Sequence, residues 1–246
     1  MTEHVPTRQL KFYVTAESPC PYLADKMEKK VFAHLPFADG AEVNDALSHA
    51  GFRRSQNIAY RPACDTCAAC VSVRIPVQFY ELNRTDRKIR NRNRDLDRYV
   101  VDAIATAEQF ELLKKYLAAR HPDGGMNDMG ESDFVTMIED SSVRTHIVEY
   151  RLHDNNEGRG KLVGFTLVDL LSDGLSMVYS AFDPDMPKRS LGRFTVLDHI
   201  YQCQQIRLPY LYLGYWVKGS PSMDYKSQYH PLEGLTLFGW QPLTHR

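Results

Sequence analysis

The chain has 246 residues, of which 43% are apolar and 25% charged, with a formal net charge of −1. That length suffices for one large or two small domains with a buried core; the near-zero charge excludes a uniformly basic nucleic-acid binder, and no apolar run reaches the roughly 20 residues of a membrane helix. Residues 1–11, with His4, Arg8 and Lys11, lack the apolar stretch of a secretion signal, so the expectation is a cytoplasmic protein whose five cysteines bind metal, act in catalysis or are buried, rather than forming disulfides.

A short strand is expected at residues 9–14. A helix is expected over 22–34, entered through Ser18-Pro19-Cys20-Pro21 and closed by Pro36. A second helix fits 43–49, ended by Gly51. Residues 57–60 and 71–75 read as strands flanking a cysteine-rich turn, the second ended by Pro76. The segment 84–98 holds Arg84, Arg87, Lys88, Arg90, Arg92, Arg94 and Arg98 against Asp86, Asp95 and Asp97, a local +4 in a chain whose total is −1. Such a basic helix is either a solvated face with i,i+4 pairs or a phosphate-binding surface.

A strand is expected at 100–104 and a helix at 107–120, with Phe110, Leu113 and Leu117 on one face. A Gly/Asp/Met-rich loop (121–130) and a short helix (132–140) follow. Strands at 145–152, 162–171 and 175–182 are joined by Asp154–Gly158 and by Ser172-Asp173-Gly174, both suited to hairpins. A helix over 192–206 ends before Pro209, and strands at 210–216 and 235–240 close the chain. Helices, a three-strand meander, a helix and two strands match an α/β (α+β) fold of the acetyltransferase-like, GNAT-like kind. There a mixed sheet with flanking helices splays open to admit an acyl donor. The expected organisation is a smaller cysteine-containing N-terminal region with the basic helix, residues 1–98, and an acetyltransferase-like domain, 99–246.

Four constellations carry chemistry. Cys64-Asp65-Thr66-Cys67-Ala68-Ala69-Cys70 spaces three thiols for one ion or cluster, with Cys20 the expected fourth ligand of a structural zinc or iron–sulfur site; the other reading is small buried thiols. Cys203 falls on a helical apolar face and reads as core. Ser190-Leu191-Gly192-Arg193 opens a helix, where free N–H groups attract phosphate or Ser190 serves as a plain cap. Its single glycine argues against coenzyme A. Residues 210–231 interleave aromatics with Lys218, Lys226 and His230, fitting a ribose or base and a phosphate or carboxylate, or a strand with half-buried tyrosines. Arg53, Arg54 and Arg61 are either a carboxylate clamp or surface charge.

Taken together these segments resemble one family. Cys20-Pro21-Tyr22-Leu23, Gly51-Phe52-Arg53-Arg54-Ser55, Tyr60-Arg61-Pro62 and the cysteine turn come first. Arg92-Asn93-Arg94-Asp95-Leu96, Tyr179, Asp183-Pro184, Ser190-Leu191-Gly192, Tyr212-Leu213-Gly214-Tyr215 and Tyr225-Lys226 with Gln228-Tyr229 follow in order. The series resembles the bacterial aspartate/glutamate leucyltransferases, relatives of eukaryotic arginyl-tRNA–protein transferases, over residues 10–240. Two positions depart: Ser220 stands where relatives often carry cysteine, and Leu23 where the eukaryotic relatives have a second cysteine.

The resemblance implies transfer of leucine from leucyl-tRNA to proteins with an N-terminal Asp or Glu, marking them for N-degron degradation machinery. No cofactor is required for the transfer itself. An activated ester and an α-amine of unperturbed pKa about 8, much of it already neutral at cellular pH, ask for positioning more than for strong base catalysis. In that reading Asp183 orients the amine or takes its proton, with Tyr179 and Tyr215 beside it. Tyr225, Tyr229, Lys226, Arg53 and Arg54 bind substrate. Ser190, Gly192, Arg90, Arg92 and Arg94 hold the tRNA. Three alternatives stay open: arginyl transfer, a non-catalytic metal-stabilised RNA-binding protein, and a coenzyme A-dependent acetyltransferase.

Overall fold

Eight strands pair into one mixed sheet, and helices cover both of its faces. The computed structural model describes residues 10–122, 124–154 and 158–243. Residues 1–9 of the N-terminal stretch and 155–157 of the expected hairpin turn lie outside the described residues. The elements of the N-terminal part are β1 (Phe12–Val14), β2 (Ser18–Pro19), β3 (Met27–Glu28), β4 (Lys30–His34), α1 (Gly40–His49), β5 (Arg53–Ser55), β6 (Ile58–Pro62), β7 (Cys70–Pro76) and α2 (Arg84–Arg92). Then come β8 (Leu96–Asp102), α3 (Ala107–Arg120), α4 (Glu131–Glu139), β9 (Thr145–Leu152), β10 (Leu162–Leu170), β11 (Gly174–Phe182), α5 (Leu191–Gln205), β12 (Tyr210–Val217), β13 (Glu233–Thr236) and β14 (Gly239–Pro242).

The large sheet runs β14-β13-β7-β12-β11-β10-β9-β8, and a small one runs β1-β4-β6-β5. All pairs are antiparallel except β11 with β12. α3 and α4 bury Leu113, Leu117, Phe134 and Ile138 against Ile147, Phe165 and Leu167. α5 lays Val196, Leu197 and Ile200 on a second cluster containing Ile75, Leu211 and Leu213. β10 is therefore covered on both sides and is an almost unbroken apolar run, Leu162 to Val168. The result is an α/β fold: a mixed sheet flanked by helices, preceded by a cysteine-bearing N-terminal region.

Local chemistry sets the helix starts. Thr106 accepts from Gln109 N while the Gln109 side chain accepts from Thr106 N, closing a reciprocal cap on α3. Asn83 and Asp86 do the same for α2.

Three expectations from the sequence are corrected. The helix expected over 22–34 is absent: its second half is β4, which pairs with both β1 and β6. Val31 and Phe32 favour a pleated surface, and central pairing on two sides outweighs local helical spacing. The basic helix expected to 98 ends at Arg92, capped by Asn93, whose Nδ2 donates to Ile89 O and Arg189 O, both at 2.9 Å. The chain then pairs Leu96 with Leu152 as an edge strand. The single closing strand at 235–240 is a hairpin, β13 with β14, turned at Gly239 with φ +91°.

The two sheets are joined by a buried ion pair. Arg54 Nε and Nη2 donate to Asp169 Oδ2 and Oδ1 at 2.6 and 2.7 Å, and Thr145 Oγ1 donates to Asp169 Oδ1 at 2.8 Å. Arg54 is 4% exposed and Asp169 1%. Removing one partner leaves an uncompensated buried charge. Arg54→Met is expected to lower unfolding free energy by about 3–5 kcal/mol in urea titration followed by circular dichroism, with much of the loss recovered in the double variant Arg54→Met/Asp169→Leu.

Candidate active site

β11 and β12 pair at only three positions: Gly174 with Tyr210, Leu175 with Leu211, and Ser176 with Tyr212. Beyond them the strands part while continuing to Phe182 and Val217. Just past the last pair the register shifts between β10 and β11 at Leu167/Val168 and between β12 and β7 at Tyr212/Gly214, bulges that bend each strand, and the gap opens a cleft of about 1140 Å³. Arg53 bridges the split. Its Nη1 donates to Leu213 O at 3.2 Å, and its Nη2 donates to Met177 O at 3.4 Å and to Val178 O. Carbonyls freed on both strands thus meet one guanidinium carried in by β5. The close approach needs Gly214: it has φ +73°, and a Cβ there would lie 1.4 Å from Arg53 Nη1.

Asp183, Tyr179, Tyr215, Arg53, Arg54, Lys226, Tyr225, Tyr229, Ser190 and Gly192 all line this cleft. Their surroundings differ. Asp183 is 2% exposed, and its carboxylate accepts from Lys115 at 2.6 Å, Lys161 at 3.0 Å and Asp185 N at 3.1 Å. Burial alone pushes its carboxyl up, but the hydrogen bonds from the two ammonium groups outweigh it and hold the pKa below the ordinary aspartate value. Tyr215 is 4% exposed, and its hydroxyl lies 2.9 Å from Gly51 O and 3.0 Å from Tyr60 O, tying β12 to the small sheet. Burial raises the phenol pKa of both Tyr215 and Tyr179. Arg54 is held by Asp169 and turned from solvent.

Lys226 stands on a short turn, Asp224–Gln228, and is 5% exposed. Its ammonium donates to Tyr215 O at 2.6 Å and meets the Met223 sulfur at 3.3 Å. Burial, and then the Arg53 guanidinium, hold its pKa well below the usual lysine value.

At the start of α5, Arg193 N and Phe194 N both return to Ser190 O at 3.0 Å. The Leu191 and Gly192 N–H groups remain at the positive end of a 15-residue helix that faces the cleft. Ser190 takes the left-handed conformation, φ 53°, and offers no side-chain cap. Arg193 donates to Asp86 Oδ1 at 2.8 Å and to Gln228 Oε1 at 2.9 Å, so α2, α5 and the Lys226 turn form one unit.

Arg90, Arg92 and Arg94 are not among the cleft-lining residues. Arg90 lies over the Tyr201 ring at 5.0 Å, the Arg92 guanidinium donates to Lys188 O, and Arg94 is exposed. Lys115 and Lys161 were missed from the sequence, and Arg193 was noted there without a partner. All three lie outside the charged run, and only the folded chain brings them to Asp183 or Asp86.

The zinc or iron–sulfur site expected at Cys20, Cys64, Cys67 and Cys70 is corrected. Among the described residues, the potential ligands whose atoms lie within 4.8 Å of one another are Asp45, His49 and Asp173, with no cysteine in the set. All five cysteines are free thiols. Cys70 is pushed up to about 11, first by burial and then by the thiols of Cys20, Cys64 and Cys67, so it stays protonated near neutral pH. Cys203 is 0% exposed and belongs to the core beneath α5.

Two family profiles match this chain: arginine-tRNA-protein transferase, N terminus, over residues 18–88, and arginine-tRNA-protein transferase, C terminus, over residues 108–236. The chain is 58% identical over 246 residues to the aspartate/glutamate leucyltransferase of Phenylobacterium zucineum (strain HLK1), covering 100% of this chain and 96% of that protein. It is 58% identical over 246 residues to the aspartate/glutamate leucyltransferase of Caulobacter vibrioides (strain NA1000 / CB15N), covering 100% of this chain and 88% of that one. Among solved structures, L-PGS from Bacillus licheniformis superposes with a TM-score of 0.46 at 10% identity, over 63% of this chain and 49% of that one.

The Arg53–Gly214 contact is testable by itself. Gly214→Ala forces an L-residue into the left-handed region against a fixed guanidinium, and is expected to cost about 2–4 kcal/mol of stability. Arg53→Ala and Gly214→Ala combined are expected to cost less than their sum, since the first removes what the second collides with; chemical denaturation of the four proteins measures this.

Proposed function

The chain belongs to the arginine-tRNA-protein transferase family, and we propose that its cleft passes leucine from leucyl-tRNA to the N-terminal amine of proteins that begin with Asp or Glu. It is an aminoacyltransferase. The observation that carries the reading is the parting of β11 and β12: an acetyltransferase-like split, lined on one wall by the start of α5 and on another by Lys226, Tyr225 and Arg53.

A phosphate of the tRNA 3′ end fits the α5 start, where Leu191 and Gly192 offer N–H groups and Ser190 a hydroxyl. Gly192 has the Phe182 ring 2.8 Å from where a Cβ would stand, so its lack of a side chain lets the start of α5 pack against the end of β11. The terminal adenosine and its ester lie along Tyr179, Tyr215 and Tyr225, with Tyr229 packed beneath. Arg53 keeps its Nε–H after bridging the strands, and this donor together with the guanidinium charge suits the recipient's side-chain carboxylate. Arg54, committed to Asp169, supports Arg53 from the next position.

The donor side chain meets Met126, Met137 and Leu167 on the cleft wall. The carboxylate among the described lining residues is Asp183, already neutralised by Lys115 and Lys161. That composition favours leucine over arginine, whose guanidinium would go unpaired. Arg90, Arg92 and Arg94, on α2 and the turn after it, track the acceptor stem outside the cleft. No described helix is long and apolar enough to cross a membrane, and we assign the reaction to the cytoplasm, where the leucylated products pass to degradation machinery that reads N-termini.

Purified protein incubated with leucyl-tRNA is expected to leucylate peptides beginning with Asp or Glu, and to leave Asn- and Gln-initiated peptides largely unmodified; mass spectrometry of the peptides decides it. Charge reversal at Arg90, Arg92 and Arg94 together is expected to weaken tRNA binding and to reduce the slope of log K against log salt by roughly 2. Filter binding over a salt series measures that slope, and an unchanged value returns α2 to a solvated face.

A further inference from the structure

Leucyl transfer leaves one proton to be moved. The attacking α-amine forms a bond to the ester carbonyl carbon, and the nitrogen must lose a proton before the bond to the ribose oxygen breaks. Asp183, the group expected from the sequence to take it, has one carboxylate oxygen on Lys115 and the other on Lys161. Two ammonium partners lower its basicity, and accepting a proton would break one of the bonds.

Among the described residues lining the cleft, one buried amine has no acidic partner. Lys226 lies at the wall, 5% exposed, and the groups it meets are Tyr215 O and the Met223 sulfur. The charged group that faces it is Arg53, and the Tyr225 ring stands 5.9 Å away. Tyr229 packs from the same turn, and Asp224 on that turn accepts from Trp216 Nε1 at 3.3 Å. An ammonium buried with a carbonyl, a thioether and a guanidinium for neighbours is poorly compensated.

We propose that Lys226, as a neutral amine anchored through one N–H to Tyr215 O, is the catalytic base that accepts the proton of the attacking α-amine and returns it to the departing ribose oxygen. The step rests on the reading of the cleft as the site of leucyl transfer. Ester and amine become amide and alcohol, one C–N bond forms as one C–O bond breaks, and the proton travels from nitrogen to oxygen through Lys226 Nζ. No oxidant, reductant or further reactant enters. Arg53 then has two effects on one reaction: it stands ready for the recipient's carboxylate, and its charge opposes protonation of Lys226.

The test follows leucyl transfer to an Asp-initiated peptide from about pH 6 to about pH 9 in wild type, Lys226→Arg and Lys226→Ala, with folding checked by circular dichroism. Wild-type kcat is expected to rise with pH along one limb. Lys226→Arg keeps a long N–H donor but stays protonated and cannot act as a base, so kcat is expected to fall by about 100-fold with KM changed less than about threefold and the limb lost. Small alkylamines are expected to restore transfer in Lys226→Ala in proportion to their free-base concentration. A Lys226→Arg enzyme with wild-type kcat and limb overturns the proposal, as does rescue that follows the ammonium concentration. A wild-type protein that moves no leucine at any pH overturns the reading of the cleft first, and the base with it.

Discussion

One guanidinium holds the architecture open. A mixed sheet that splits between parallel strands leaves carbonyls on both lips without strand partners, and buried unpaired carbonyls are costly. Arg53 meets them from a different sheet, so the opening is a stable feature of the fold. Everything around it answers to that placement. Gly214 has no side chain because the guanidinium occupies that space. Arg54, the next residue, locks β5 to β10 through Asp169. Tyr215 fixes the facing strand to the backbone of Gly51 and Tyr60.

The buried charges divide into two kinds. Arg54 with Asp169, Arg193 with Asp86, and Lys115 and Lys161 with Asp183 are compensated and serve as joints between elements. Lys226 has only dipoles and a like charge for company. Paired charges resist protonation changes because a partner rewards the ionised form; a lone buried amine sits closer to its switching point. The contrast separates groups that hold the cleft from one suited to move a proton within it.

Much of this was legible in residue patterns. β9 and α3 fall at the expected boundaries, because alternation, hairpin residues and the Thr106–Gln109 cap are local signals. The aromatic Tyr210–Val217 strand and the Tyr225–Lys226 turn also announced themselves by composition. Register did not: nothing in residues 174–182 or 210–217 says that pairing stops after Ser176 and Tyr212. Segment 22–34 carries apolar residues at spacings that serve helix or strand, and its pairing on two sides decided the matter. The cysteine spacing invited a metal, but spacing along the chain does not fix where thiols converge. Lys115 and Lys161 escaped notice because their importance comes from Asp183, distant in sequence.

β7 lies between β12 and β13, pairing with each. On the ribosome that strand emerges long before either neighbour exists, whereas β1, β4, β5 and β6 can close among themselves at once. The nascent chain must therefore carry β7, apolar at Val71, Val73 and Ile75, with both edges bare until nearly the whole protein has been made. Such long-range pairing is slow and aggregation-exposed, and the two strands that cover its edges, β12 and β13, are among the last to be translated.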